Sequence, residues 1–365
     1  MKKVSIYVKG DRNSTDYYRI YQYLDKLDEK NFHCKYRMQM GEGLYRKWMP
    51  VSDKPMFIKI LVYLYIYFRR LWGLFFDFLV VPDVLVLHRS FIGRYMPYSF
   101  RLLLRGVIHR GTKLIWDFDD HIVANKEVSK RTFNAFAELA SCVLVTHDYL
   151  KSLLPVSCQD KVVILPTTDG DMYKLFTEEV NVKRFSLLQE QVIMVWVATK
   201  RNMRFLKPII PVLDKAARLL YDLDKRKLVL KVICNERLEY DCDNLIIENI
   251  CWSRKGAIEN MLNAHIGIMP LLDSEFTRGK GGFKLIQYLS VGLPCIGSDV
   301  GYNHSIISLE CGFLPQAESE WITAIIKLSD ILSWKLYSEN AFQYWTLNFS
   351  YEKNLEVWKT LINEP

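Results

Sequence analysis

The sequence predicts an α/β protein of two doubly wound domains that face a central cleft, and three observations predict it. The chain has 365 residues, more than one hydrophobic core of about 250 residues ordinarily serves. Half of the residues are hydrophobic and a quarter are charged, the composition of a folded chain, which excludes a disordered, collagenous or low-complexity one. Short apolar, β-branched runs recur between helix-length segments in two successive series. Strands that are apolar nearly throughout belong to parallel sheets covered on both faces, so two series imply two such sheets. Open parallel sheets bind ligands outside the carboxyl ends of their strands, which places the expected site in the cleft.

The first series is VSIYV (4–8), DVLVLH (83–88), KLIWDF (113–118), CVLVT (142–146) and KVVIL (161–165). VSIYV follows a basic start, but its apolar stretch alternates and soon meets Lys9, Asp11 and Arg12, so it reads as a first strand and not as a signal peptide. Between the first two strands lies the most apolar stretch, 56–81. A spanning helix needs about 20 uninterrupted apolar residues, and Lys59, Arg69, Arg70 and Asp77 break this run. It reads either as a pair of buried or half-buried helices, or as a helix in a membrane interface. In the second case Tyr63, Tyr65, Tyr67, Phe68 and Trp72 lie at headgroup depth and Arg69 and Arg70 on anionic lipid. The second series is VIMVWVA (192–198), LVLKVIC (228–234), NLIIE (244–248), HIGIMP (265–270) and PCIGS (294–298). The join falls near 170–190, where PTTDGDMY gives way to the polar, acidic TEEVNVKRF. The tail 335–363 reads as closing helices whose Trp and Leu positions pack on a neighbour.

The net charge is +8, and residues 1–110 hold 20 Lys/Arg against 9 Asp/Glu, so the positive excess lies in the N-terminal part. With an aromatic share of 13%, this charge points to anionic partners: nucleotide phosphates, nucleic acid or acidic lipid headgroups. No nucleic-acid recognition motif is present. The eight cysteines form no Cys-x2-Cys pair and no zinc spacing, and most sit in apolar strand-like runs, so they read as reduced, buried thiols of a cytosolic protein. His109, His147 and His265 have no partner at metal spacing and read as structural histidines. There is no Gly-x-Ser-x-Gly, no Walker loop and no Cys/His nucleophile pattern, so hydrolase and kinase readings lose their usual support.

The chemistry concentrates in 266–301, where a strand ends at Met269-Pro270 and the loop Arg278-Gly279-Lys280-Gly281-Gly282 leads into an amphipathic helix starting at Phe283. Glycines ahead of a helix let the backbone approach a ligand, and the helix start offers N–H groups and partial positive charge to an anion. Glycines alone would suit an ordinary turn; the added charges of Arg278 and Lys280 favour a diphosphate held by Arg278, Lys280, Gly281, Gly282 and Phe283. In ATKRNMRFLK (198–207), Arg201 and Arg204 follow a strand and open a helix, as candidates for the same diphosphate against a merely solvated charged face. Glu248 and Trp252 are candidates to border a base and ribose, with a core Trp as the competing reading.

The run GKGGFKLIQYLSVGLPCIGSDVG (279–301) resembles the nucleotide-sugar-binding segment of the retaining glycosyltransferases of family 4, whose GT-B fold pairs two Rossmann-like domains. Many members carry Glu-x7-Glu there, then a helix and Gly-x-Pro. On that pattern the first Glu falls at Gly279 and the second at Gln287, so both carboxylates are absent. Gln287 still offers a donor and an acceptor to ribose hydroxyls. The chain looks like a bacterial surface-polysaccharide subgroup with a Lys-x3-Lys-x2-Gln-Tyr variant. STDYYRIYQYL (14–24), LIWDFDDHI (114–122), VTHDYLKSL (145–153), ILPTTDGDMY (164–173) and 195–213 resemble other segments of that subgroup in order and spacing.

The resemblance implies an acceptor-binding domain at 1–180, a nucleotide-sugar-binding domain at 181–345 and a helix at 346–365 that returns to the first domain. It makes Arg19 an anion or acceptor contact. Asp117-Phe118-Asp119-Asp120 mimics the carboxylates that hold Mg²⁺ or Mn²⁺ in the other large glycosyltransferase fold. In GT-B this loop belongs to the acceptor domain, so no metal and no cofactor is expected. Asp119, Asp120 and His121 are then cleft-facing and, with Lys280, catalytic; the alternative is that one of the two aspartates caps the next helix. The implied activity is metal-independent transfer of a sugar from a nucleoside diphosphate to a hydroxyl of a lipid-linked surface glycan such as O-antigen or capsule. The implied location is cytoplasmic, in peripheral contact with the inner face of an anionic membrane. The alternatives are a nucleotide-sugar epimerase of the same fold and a non-catalytic glycan-assembly protein.

Overall fold

The computed structural model describes residues 1–10, 15–28, 32–48 and 54–364; Asp11, Arg12 and Ser14 of the sequence reading lie outside the described residues. The first sheet comprises β1 (Lys2–Val8), β2 (Phe32–Met38), β3 (Val84–His88), β4 (Lys113–Asp117), β5 (Cys142–Val145) and β6 (Val162–Ile164), all parallel in the order β2-β1-β3-β4-β5-β6. Its helices are α1 (Gln22–Asp28), α2 (Glu42–Trp48), α3 (Met56–Val80), α4 (Tyr98–His109), α5 (Lys130–Leu139) and α6 (Asp148–Ser152).

The second sheet comprises β7 (Gln191–Val197), β8 (Lys227–Cys234), β9 (Ile246–Cys251), β10 (Ile266–Met269), β11 (Cys295–Gly297) and β12 (Gly312–Phe313), all parallel in the order β12-β11-β10-β7-β8-β9. Around it lie α7 (Glu178–Glu190), α8 (Met203–Leu206), α9 (Ile210–Asp224), α10 (Arg254–Leu262), α11 (Glu275–Arg278), α12 (Phe283–Ser290), α13 (Asn303–Ile306), α14 (Glu318–Ser329) and α15 (Ile331–Asn348). The chain ends in α16 (Tyr351–Asn363). The expected α/β class with two parallel sheets is therefore the observed one. Each sheet has one strand more than its apolar series: β2 alternates with polar residues at an edge, and β12 is two residues long.

Two compact units result, one of residues Met1–Thr167 with Glu352–Pro365, the other Thr168–Tyr351. The first division lies before the expected 180/181, because the segment after Thr167 packs on the second unit. Trp345 donates from Nε1 to Thr168 Oγ1 at 3.3 Å, and the Tyr173 ring stacks on Trp345 at 5.0 Å. From Glu352 onward α16 belongs to the first unit: Asn354 donates to the Tyr23 hydroxyl (3.1 Å) and the Pro166 carbonyl (2.7 Å), and Trp358 is fully buried. In the first core Trp116 sits among Phe118, Phe133 and Phe136, with centroids 4.7 to 5.5 Å apart.

Residues 56–80 form one helix, not a pair, and its Arg70 does not reach lipid. That guanidinium is buried and donates to the carbonyls of Val8 (2.6 Å) and Arg37, while Tyr67 bonds Ser99 at 2.9 Å. Among the described residues no helix is long and apolar enough to cross a membrane. All eight cysteines are free thiols, buried at five positions, with Cys251 exposed. His265 is a satisfied structural histidine: Nδ1 accepts from the Ile193 amide (2.8 Å), Nε2 donates to the Arg184 carbonyl (3.0 Å), and burial pushes its pKa down to about 3.

Candidate functional site

In the second sheet the chain runs from β7 outward to β9, then returns to β10 on the other side of β7. Adjacent strands whose connections leave in opposite directions open a crevice at their carboxyl ends. The loops after β7 and β10 supply the residues there. Lys280 Nζ donates to Asn202 Oδ1 at 3.0 Å and lies 4.9 Å from the Phe276 ring centroid. The Arg204 guanidinium lies 5.6 Å from the same ring and 4.7 Å from that of Phe205. Two predicted cations, separated by 76 positions in the chain, thus converge on one aromatic pair.

Gly282 caps α12 in the left-handed region (φ 62°), a conformation cheap only for glycine, and a Cβ there would stand 2.0 Å from Ile306 Cδ1. The cap brings the α12 start, with Gly281 and Phe283, to the same loop as Lys280. Arg201 is exposed in the turn before α8. Arg278 is exposed too, and its guanidinium is held by Asp273 through bonds of 2.7 and 2.6 Å, so its charge is already paired with a carboxylate.

Gln287 is nearly fully buried with both amide atoms engaged, so the expectation that it offers them to ribose hydroxyls is corrected. Nε2 donates to Asp169 Oδ2 (2.9 Å), and Oε1 accepts from Lys284 Nζ (2.8 Å). Asp169 also accepts from the amides of Asp171 (3.1 Å) and Met172 (3.3 Å), and Arg254 lies 3.8 Å away. Burial pulls the Lys284 ammonium down to about 8, against the opposing pull of Asp169. A carboxylate therefore stands beside the position where the helix lacks one. Asp169, Lys284 and Asn202 were not singled out from the sequence; Lys284 was visible only as part of the Lys-x3-Lys-x2-Gln pattern.

Trp252 follows β9 at its carboxyl end and is 41% exposed, so it is not the core Trp of the competing reading. Glu248 does not come to this end. It lies within β9 opposite Lys231, whose Nζ is 4.0 Å away, and so faces across the sheet and not toward the crevice.

In the first sheet the carboxyl ends of β3 and β4 carry a buried charge network. Asp117 takes Arg19 (Nε, 3.1 Å) and His88 (Nδ1, 2.6 Å). Burial alone would push the Asp117 carboxyl up, but Arg19 and His88 outweigh it and hold it below its usual range. Arg19 itself is fully buried and also donates to the Leu165 carbonyl and Thr167. The expectation of Arg19 as an acceptor contact is corrected: its guanidinium is spent inside the unit.

Asp119 and Asp120 are both drawn to Arg89, at 2.5 and 3.1 Å, and Arg89 also meets Glu127 at 2.8 Å. Burial works against the Arg89 charge, yet the three carboxylates raise its pKa well above normal. Arg89 holds a positive φ of 59° directly after β3. Neither aspartate caps the next helix, because Ser129 caps α5. His121 is buried, and its Nδ1 accepts from the Ala124 amide at 3.2 Å. Arg89, like Asp169 and Asn202, is not singled out by the sequence. Its signal was a charged pair, His88-Arg89, directly after an apolar strand.

No protein-family model matches the chain, and no curated protein matches it in sequence. Solved structures match it in full. Sucrose-phosphate synthase from Thermosynechococcus elongatus superposes with a TM-score of 0.62 at 13% identity, covering 99% of this chain and 98% of that one. Anabaena HepE in complex with UDP and glucose gives 0.66 at 9% identity, with both chains covered completely. A putative UDP-N-acetylglucosamine 2-epimerase from Listeria monocytogenes gives 0.60 at 10%, covering 99% and 95%. The chain has the two-sheet GT-B fold that these proteins share.

Proposed function

We propose that this chain is a retaining glycosyltransferase that moves a sugar from a nucleoside diphosphate to a hydroxyl of a lipid-linked cell-surface glycan, such as O-antigen or capsule. The observation that carries this reading is the meeting of Lys280, Arg204 and the glycine-led start of α12 at the switch point of the second sheet. The difficult step is departure of the diphosphate. Cations and helix N–H groups aimed at the charge that develops there contribute on the order of 2–4 kcal/mol per well-placed donor. Lys280, Arg204 and Arg201 supply them, with Arg278 at the rim, and no metal is needed for that charge.

Trp252 borders the base, and Gln287 ties Asp169 to Lys284 within the second unit. The acceptor attacks from the face the leaving group departs, and a diphosphate oxygen takes its proton. The first unit holds the acceptor. Asp119, Asp120 and His121, fixed by Arg89 and the backbone, stand on that side, and a lipid-linked acceptor keeps the enzyme at the cytoplasmic face of a membrane.

Thermal unfolding with UDP, GDP and dTDP tests the donor half, since a ligand bound only by the folded form at 100-fold its Kd adds about 2.7 kcal/mol. One nucleotide raises the Tm of the wild type. Lys280→Ala abolishes the shift and leaves the ligand-free Tm in place; an undiminished shift in that variant overturns the site. Incubation with a panel of nucleotide sugars tests the chemistry. Transfer, or slow hydrolysis, of one donor supports the reading, interconversion means an epimerase, and silence from a folded, nucleotide-binding protein means a non-catalytic role.

A further inference from the structure

We propose that the outward face of α3 docks on an anionic lipid bilayer, with the helix lying flat in the interface. Burial separates two faces of this helix. Val62, Ile66, Arg70, Leu74 and Asp77 turn into the first unit, whereas Phe57, Leu61, Leu64, Phe68, Trp72 and Phe75 are exposed by 63, 61, 41, 62, 70 and 39%. Their spacing of three or four residues puts all six on one stripe, which runs for about 27 Å at 1.5 Å per residue. A surface helix of a soluble domain ordinarily turns its apolar stripe to the core. Here a continuous apolar stripe faces out while the buried face carries an arginine and an aspartate. Single exposed hydrophobic residues need no explanation, but a row of this length marks an interaction surface. The neighbouring α4 extends it with Tyr98 and Leu102, 78 and 59% exposed.

Charge decides the occupant. Residues 54–110 hold nine Lys/Arg, of which Arg70 and Arg89 are buried, against Asp77 and Asp83. Both aspartates are engaged within the unit: Asp77 accepts from Ser5 and Tyr7 at 2.6 Å, and Asp83 from the Lys3 amide at 2.7 Å. Arg69 flanks the stripe on α3, donating to the Tyr65 hydroxyl at 3.3 Å, and Arg94 and Arg105 are exposed nearby. A second copy of the chain would set this cationic rim against its like. Anionic headgroups complement it, while aromatic and aliphatic side chains enter the acyl boundary. The inference gives the membrane contact of the proposed function a surface, and its test needs no nucleotide. Vesicle binding can fail while UDP still raises the Tm, and the reverse.

The test is cosedimentation of the full chain with phosphatidylcholine vesicles and with vesicles of phosphatidylcholine and phosphatidylglycerol at 3:1. The wild type binds the anionic vesicles at least ten-fold more than the neutral ones, and binding falls as salt rises from 0.1 to 0.5 M. Phe68→Asp with Trp72→Asp lowers binding at least ten-fold with an unchanged Tm. Should that variant misfold, Phe57→Asp at the other end of the stripe serves in its place. Arg69→Glu with Arg105→Glu erases the preference for anionic vesicles. Absence of wild-type binding overturns the proposal. So does a solution dimer, seen by light scattering, that the Phe68 and Trp72 changes dissociate while vesicle binding is absent or unaltered.

Discussion

Lys284 gives the candidate site a pH signature. Burial lowers its pKa from 10.5 to about 8, so between these values the folded state has released a proton that the unfolded chain still binds. Stability then rises with pH through that window, and below about pH 8 the folded protein carries the full cost of a dehydrated ammonium. Lys284→Met removes that charge but also the donor to Gln287 Oε1, so the gap to read is the pH-dependent one: relative to the wild type, the variant should lose about 1–3 kcal/mol of stability between pH 7 and pH 10. Urea unfolding at the two pH values measures it, and a gap independent of pH would contradict the assignment. The same residue marks the limit of reading a site from sequence. Lys280 and Arg204 were legible because a glycine-rich turn and a strand end fix their place whatever the partners. Arg19 and Glu248 were misplaced because the sequence shows that a charge is near a strand but not which way it faces, and Asp117 and Lys231 decide that. Arg89 and Asp119 stand 30 residues apart, so neither announces the other.

Helix α12 is set by its two ends. At the amino end Gly282 supplies the left-handed cap. At the carboxyl end the buried Arg184 guanidinium donates to the Val291 carbonyl at 2.6 Å, and to Met261 and Leu262 at the end of α10 at 2.8 and 2.9 Å. Gly282→Ala demands a positive φ from an L side chain and displaces the flexible end of Ile306. The cost is about 1–3 kcal/mol, or roughly 3–8 °C in Tm. Because the cap aims the helix start, the variant should also lose most of the nucleotide-induced shift. Adding Ile306→Val should give a double variant that loses less than the sum of the single changes, since it removes the Cδ1 atom in the way. A Gly282→Ala protein with unchanged Tm and unchanged nucleotide shift would mean that the cap does not position the site. At this scale the sequence was most informative where strands are central and apolar. It failed at the edge, where β2 exposes a polar face, and at residues 56–80, where two of the four charges that break the apolar run, Arg70 and Asp77, lie on the buried side of one helix.

The chain crosses between its two compact units twice, after Thr167 and after Tyr351, so the last helix stabilises the unit that begins the chain. Lys2 Nζ donates to the carbonyls of Ile362 and Asn363 at 3.0 and 2.8 Å, which ties the first strand to the last helix. Trp358 is fully buried, and its indole N–H has no hydrogen-bond partner among the described residues, so its loss reports packing alone. Trp358→Ala should cost about 3–5 kcal/mol, or roughly 10 °C, and only in the first unit. A nucleotide bound at the α12 start belongs to the second unit. Scanning calorimetry should therefore resolve two transitions in the variant, the lower one insensitive to UDP and the upper one still raised by it. If UDP instead raises the transition that Trp358→Ala lowers, or if the variant melts as one transition with no UDP response, then donor binding is not a property of residues 168–351 alone.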